Sequence, residues 1–436
     1  MKVAYLTAGA AGMYCGSCMH DNTLAAALGR LGVDIQLIPT YTPIRTDEND
    51  VSVDRVFFGG VNVFLQQRFP LFRRIPAWLD RILDRPRFIR WVTSRAIEID
   101  PKELGGLTVS MLKGEHGFQR KEVRRLCQWL ASSVKPDLVV LTNVLIGGCI
   151  PEIKRKLNVP VLVTLQGDDV FLDQLVEPFK SRAFEEIQRL VECVDGFVVN
   201  SRYYADFIEQ YFGIHGDKLE IVPLGIDTRD FHQSVPKTTL TQSAPTRQPT
   251  IGYLARLAPE KGLHVLVDAF IELRKKTDMG NAQLRVAGWL GEQNREYAET
   301  EFAKLRAAGL ADAFHYAGAV SRHEKIEFLE SLDVFSVPTT YAEAKGLYVL
   351  ESLAAGVPVV QPEHGAFPEL LTATGGGWLT TPGDPVALAE TLSVALADRE
   401  RLSQFAAAGR AAVHERFNAD AMGSNTLEVY GKYVVV

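Results

Sequence analysis

The chain has 436 residues, more than one ordinary core holds and suited to two large domains. Apolar residues make up 47% and charged residues 23%, as in a globular protein, and a net charge of −6 supplies no basic field for nucleic acid, which is not expected as a partner. Five cysteines, the absence of a run of about 18 apolar residues, and a start (Met1 to Leu6) that enters a strand instead of a signal peptide set the expectation of a reducing, cytoplasmic compartment.

Lys2 to Thr7 is predicted as a first strand and Ala8 to Met19 as a glycine-rich loop. Asp21 to Leu31 follows as a helix with Leu24, Leu28 and Leu31 on one face, then Val33 to Ile38 as a strand. The order is a Rossmann-like opening, in which small residues let a ligand approach the backbone at a helix N-terminus. It is not G-x-G-x-x-G, so NAD has little support. Cys15-Gly16-Ser17-Cys18, with His20 and Asp21 close by, has the spacing of a metal or redox pair. One C-x-x-C is incomplete as a zinc site, although Cys15, Cys18 and His20 could supply three ligands, and a thiol at a helix N-terminus is more acidic than usual. Small residues lining a ligand site are the favoured alternative.

From Thr40 to about Gly117 the pattern turns irregular and reads as an insertion over 41–117. Within it, residues 66–95 set eight arginines against Asp80 and Asp84, interleaved with Phe69, Phe72, Trp78, Phe88 and Trp91. Such a segment suits peripheral contact with an anionic membrane face or a lipid-linked phosphate acceptor; a helical subdomain with solvated arginines is the other reading. Lys121 to Val134 is an amphipathic helix, and Asp137 to Thr142 and Val159 to Leu165 are the apolar runs of parallel strands buried on both faces. The second run leads into Gln166-Gly167-Asp168-Asp169. Glutamine exchanges hydrogen bonds but carries no proton, so position 166 cannot be a general base. A carboxylate before a helix is more often a cap than a cation ligand, and no metal is expected. A helix follows Ser201, and the polar stretch 233–249 reads as a connection, with the boundary near Gly225.

Thr250 to Ala255 opens a second Rossmann-like half. Arg256 and Lys261 follow that strand and precede a helix, where a diphosphate would gain charge-assisted hydrogen bonds. Leu332 to Pro338 and Val357 to Gln361 read as strands around a helix from Leu347 to Ala355. Glu343 falls in the loop and Glu351 in the second helical turn, both directed toward one ligand edge. Paired carboxylates beside a helix N-terminus suit a polyhydroxylated anionic ligand. The final helix spans about Ala419 to Tyr433. The expected domains are 1–224, 225–415 and a returning helix in 416–436.

Glu343 and Glu351, with seven residues between them and Ser352-Leu-Ala-Ala-Gly-Val-Pro-Val-Val360 after them, resemble the E-x7-E signature of retaining glycosyltransferases of family 4. That resemblance implies the α/β GT-B fold, two Rossmann-like, doubly wound parallel-sheet domains facing across a cleft. It also implies a nucleotide-sugar donor, no further cofactor, no catalytic metal, and a sugar or lipid-linked acceptor. By resemblance, Glu343 and its neighbours Ala344, Lys345, Gly346 and Leu347 meet the transferred sugar and Glu351 meets the ribose. Arg256 and Lys261 hold the diphosphate, and Gly365 and Glu369 border the nucleotide. Gly16 matches one glycine of a Gly-Gly pair that lies near the donor phosphates, with Cys15 in place of the other. Gln166 stands where a histidine is usual, and Gly167 and Asp169 match. Cys15, Gly16, His20, Gln166 and Asp169 thus form the expected acceptor side, and Lys345 makes the sugar pocket more cationic. The same fold also serves nucleotide-sugar 2-epimerases, glucan synthases and non-catalytic sugar-nucleotide binding.

Overall fold

The computed structural model describes residues 1–9, 15–58, 67, 101–233 and 248–434. They form two compact units, Met1–Pro223 together with Met422–Val436, and Leu224–Ala421.

In the first unit, β1 (Lys2–Thr7), β2 (Asp34–Pro39), β3 (Leu138–Leu141), β4 (Val161–Thr164), β5 (Gly196–Val199) and β6 (Leu219–Ile221) form one parallel sheet in the order β2-β1-β3-β4-β5-β6. β3, β4 and β5 read LVVL, VLVT and GFVV and are buried throughout, the pattern of strands covered on both faces. The chain leaves β1 toward β2 and returns to β3 on the other side of β1. The carboxyl ends of β1 and β3 therefore flank a topological switch point, where open α/β sheets bind ligands.

Three helices set the chemistry of this edge: α1 (Gly16–Arg30), α2 (Asp168–Asp173) and α4 (Arg202–Phe212), with α3 (Phe179–Cys193) between the last two. The sequence suggested that the loop after β1 runs to Met19; in the structure α1 already starts at Gly16. Cys15 is its N-cap in extended backbone, and the Cys15 carbonyl accepts the Met19 N–H at 3.0 Å. No helix breaker lies between Gly16 and Asp21, and Cys18 behaves as a small apolar residue, buried with Leu24 and Leu28. Ser201 caps α4 by accepting the Tyr204 N–H at 3.1 Å. The described parts of 41–117 also belong to ordinary packing. Pro101–Leu112 is a helix, and Phe57 is buried against Trp129 with ring centroids 4.7 Å apart. The arginine-rich stretch 66–95, apart from Gln67, lies outside the described residues, as does most of 233–249.

The second unit repeats the plan. β7 (Thr250–Leu254), β8 (Gln283–Ala287), β9 (Phe314–Tyr316), β10 (Val334–Phe335), β11 (Val359–Pro362) and β12 (Gly377–Thr380) form a parallel sheet ordered β12-β11-β10-β7-β8-β9. Its switch point lies between β7 and β10. Around it stand α5 (Leu263–Arg274), α6 (Arg322–Glu330), α7 (Leu347–Ala354) and α8 (Phe367–Thr374). α6 opens with a capping box between Ser321 and Glu324. The last helix, α9 (Ala419–Tyr433), belongs from Met422 onward to the first unit, where Met422, Val429 and Tyr430 share a core with Val3 and Tyr5.

One backbone contact decides the shape of the second switch point. Gly262 ends the turn after β7 at φ +72°, and a Cβ there would sit 1.8 Å from the Pro338 carbonyl oxygen. The Thr340 N–H reaches back to the Glu260 carbonyl at 3.0 Å. The turn carrying Lys261 is thereby laid on the chain leaving β10. Gly309 has the same φ of +72° with nothing within 4 Å of its Cβ position. Gly309→Ala should cost only the left-handed strain, about 1–2 kcal/mol. Gly262→Ala adds a backbone collision and should lower the thermal midpoint by clearly more, at about 2–4 °C per kcal/mol for a domain of this size. Equal midpoints for the two variants would refute the close approach.

Candidate functional site

At the switch point of the second unit a buried carboxylate gathers the chemistry. Glu343 Oε2 accepts from Lys261 Nζ at 2.8 Å, Tyr341 hydroxyl at 2.7 Å and Tyr348 hydroxyl at 3.3 Å, while Oε1 accepts the Lys345 backbone N–H at 3.4 Å. Lys261 Nζ also donates to the Tyr341 hydroxyl at 2.6 Å and lies 4.9 and 5.4 Å from the ring centres of Tyr341 and Tyr348. Burial alone would raise the Glu343 carboxyl, but the Lys261 ammonium, the Tyr341 hydroxyl and the charge of Lys345 outweigh it and hold the group at about 2. Glu343 therefore stays ionised and keeps Lys261 in place.

The loop geometry explains the neighbours. Gly365 has φ +61°, and a Cβ on it would lie 2.6 Å from both the N and O of Glu343, while the Ala366 N–H donates to the Glu343 carbonyl at 2.8 Å. Gly365 thus supports the Glu343 loop from behind. Ala344 is buried, Lys345 half-buried, Gly346 is the N-cap of α7 and Leu347 its first residue. Glu369 is exposed in the first turn of α8. His364, its basicity lowered by burial, faces Thr339 Oγ1 at 3.3 Å. Arg256 does not join Lys261 at Glu343; its guanidinium pairs with Glu260 at 2.5 Å. Glu351 is buried and receives Lys325 Nζ, from α6, at 2.6 Å.

The first unit has its own buried carboxylate at the matching place. Asp21, fully buried, accepts from the hydroxyls of Tyr5 (3.0 Å), Thr7 (2.7 Å) and Thr142 (2.6 Å) and from Gln166 Nε2 (3.0 Å), with His20 Nδ1 at 3.2 Å. Burial pushes its carboxyl up, yet the bond to His20 and the His20 charge, then Thr142 and Thr7, bring it below the ordinary carboxylate range. These partners come from the ends of β1, β3 and β4, so Asp21 ties the switch point together. The acceptor-only carboxylate also fixes the Gln166 amide, whose NH₂ must face it. His20 is buried in this network, whereas Cys15 is half-buried and Gly16 exposed.

Asp168 does not cap α2. It accepts the backbone N–H of Val144 at 3.0 Å and of Gln166 at 3.1 Å, joining the loops after β3 and β4, and burial pushes it up to about 7 against those donors. Asp169 accepts the Tyr204 hydroxyl at 2.6 Å. Gly167, at φ +101°, has nothing within 4 Å of its Cβ position, so the strand end is open there. Among the described residues no group of three His, Cys, Asp or Glu side chains could hold a metal ion.

Sequence reasoning missed Tyr341, Tyr348, Lys325 and Asp21. The tyrosines stand two residues before and five after Glu343, close enough to have been flagged; Lys325 is 26 residues from Glu351 and gave no signal. Removing one partner of a buried pair strands the other charge. Lys325→Met should therefore cost roughly 3–5 kcal/mol in chemical denaturation, with Lys325→Met/Glu351→Leu recovering most of it. A double variant as unstable as the single one would show that the pair does not act as a unit.

The geometry can be set beside known proteins. A model described as Glycosyl transferases group 1 matches residues 239–412, and one described as Glycosyltransferase Family 4 matches residues 105–230. The D-inositol 3-phosphate glycosyltransferase of Xylanimonas cellulosilytica is 29% identical over 56% of this chain and 58% of its own length. The GDP-mannose-dependent alpha-(1-6)-phosphatidylinositol monomannoside mannosyltransferase of Mycobacterium tuberculosis is 28% identical over 55% and 62%. The chain thus spans about three fifths of the length of these curated relatives. Sucrose-phosphate synthase of Thermosynechococcus elongatus superposes over 99% of both chains with a TM-score of 0.71 at 18% identity. The two family models jointly cover more than half of the chain, and with the two parallel sheets they establish that it belongs to the group 1 glycosyl transferases of the GT-B fold.

Proposed function

We infer that the protein is a glycosyltransferase that takes a sugar from a nucleoside diphosphate donor bound by the second unit and places it on an acceptor bound by the first. The observation that carries this reading is the Lys261–Glu343 pair at the β7/β10 switch point. Among the described contacts Lys261 spends two of its three N–H bonds, on Glu343 and Tyr341, which fixes the direction of the third. A phosphate oxygen meeting it would find the ammonium preorganised. The N-terminus of α7, whose N-cap Gly346 makes no side-chain cap, offers further N–H groups to an anion. Glu351, steadied by Lys325, is suited to accept ribose hydroxyls.

The chemistry follows from where charge develops. As the bond from the anomeric carbon to the diphosphate oxygen breaks, its electron pair stays on the phosphate, and Lys261 stabilises that charge more in the transition state than before it. The acceptor hydroxyl then bonds to the anomeric carbon and its proton passes to the departing phosphate. Front-side displacement of this kind retains configuration and needs no carboxylate nucleophile. Asp21, with its oxygens held by five side chains, is unsuited to being one.

The test is a thermal-shift panel of UDP, GDP, ADP and their sugar conjugates on the whole chain, Lys261→Ala and Glu351→Ala. One base should raise the midpoint of the native chain by mass action, and each substitution should weaken that nucleotide roughly tenfold or more, the equivalent of a charge-assisted hydrogen bond. With the donor so identified, transfer should give a product of the donor's anomeric configuration. No shift with any nucleotide would overturn the reading, and donor turnover without acceptor would move it to an epimerase.

A further inference from the structure

One surface of the first unit has no part in the chemistry above. On α4, Tyr203, Phe207 and Tyr211 recur every four residues and all three are half-buried. Their rings run nearly parallel: Tyr203 and Phe207 are 6.4 Å apart at 10°, Phe207 and Tyr211 5.3 Å at 25°. Phe184 of α3 meets Tyr211 edge-on at 5.1 Å and 65°. A row from residue i to i+8 of a helix is about 12 Å long, more than one sugar ring.

The row is edged by acids and begins at the open strand end. Tyr204, whose ring lies 6.0 Å from that of Phe207, receives the Gly167 N–H at 3.0 Å and donates to Asp169 at 2.6 Å. At the far end the Tyr211 hydroxyl donates to Asp173 at 3.0 Å, and Asp173, exposed, also takes Lys180 Nζ at 2.8 Å. Asp206 and Glu209 are exposed on the same helix. Aromatic faces pack against the C–H face of a pyranose while carboxylates beside them accept its hydroxyls. An acyl chain would leave those acids unused, and an anionic headgroup or phosphate would be repelled by them.

We propose that the Tyr203–Phe207–Tyr211 row, with Asp169 and Asp173 along its edge, is an extended acceptor subsite for a neutral oligosaccharide that enters at Gly167 and Gln166. This rests on the reading of the first unit as the acceptor side, and it narrows the acceptor to a chain of several rings.

The experiment is saturation-transfer NMR and calorimetry on the full chain with malto-, cello- and manno-oligosaccharides of one to four rings, on wild type, Phe207→Leu and Tyr211→Leu. One series should bind more tightly with each added ring up to about three, the span set by the row. Phe207→Leu, which keeps an apolar side chain at that place, should remove about tenfold of that gain with nucleotide binding unchanged. Binding that does not depend on ring number, or that survives both substitutions, overturns the proposal. So does Phe207-dependent binding of phosphatidylcholine vesicles in place of any glycan. Nucleotide binding is measured in the same samples, so failure of the transferase reading shows as lost donor binding, independently of the glycan result.

Discussion

A lysine and a glutamate 82 residues apart, brought to 2.8 Å, fix the working edge of the second unit. The contact needs three things at once. The turn after β7 must lie on the chain leaving β10, which Gly262 alone allows. The Glu343 loop must be backed by Gly365, and two tyrosine hydroxyls must share the charge. A buried ion pair is poor evidence for stability, because desolvation offsets most of its attraction. Its value here is positional: Glu343 remains ionised across the physiological range, and an ammonium that would otherwise sample many rotamers is held in one place, ready for an incoming phosphate.

The first unit solves the same problem with opposite means. Its switch point is closed by Asp21, a carboxylate surrounded by hydroxyls, one amide and His20 in place of a lysine. That arrangement converts the ends of three strands into one rigid floor and takes up the amide of Gln166. Chemistry on this side is therefore not acid–base work by Gln166 or Asp21. What stays available is shape: the open position at Gly167, Asp169, and the aromatic row that leads away from them.

Much of this was legible in the sequence, and the reasons are specific. β3 and β4 are short runs of apolar residues, typical of parallel strands covered on both faces. The strand, loop, helix and strand around Glu343 and Glu351 carry both a periodicity and a stop at Gly356-Val357-Pro358. The start of α1 was misplaced because Gly16, Ser17 and Cys18 are weak helix formers one at a time; burial of Cys18 overrides that impression. Pairings across the sheet, such as Lys325 with Glu351 or Asp21 with Thr142, are set by topology and leave no trace in local pattern. Arg256 and Lys261 were both expected to face the diphosphate because both follow β7; the pairing of the Arg256 guanidinium with Glu260, four residues on, left no signal in the pattern.

The most direct test of the central claim separates charge at the β-phosphate from binding in general. Calorimetry would compare the nucleoside diphosphate that stabilises the chain best with its monophosphate, on wild type and on Lys261→Ala. The account predicts that wild type prefers the diphosphate and that Lys261→Ala loses roughly tenfold or more for the diphosphate while the monophosphate changes little, since a charge-assisted hydrogen bond is worth about 1.5–3 kcal/mol. An equal loss for both nucleotides, or none for either, would contradict it.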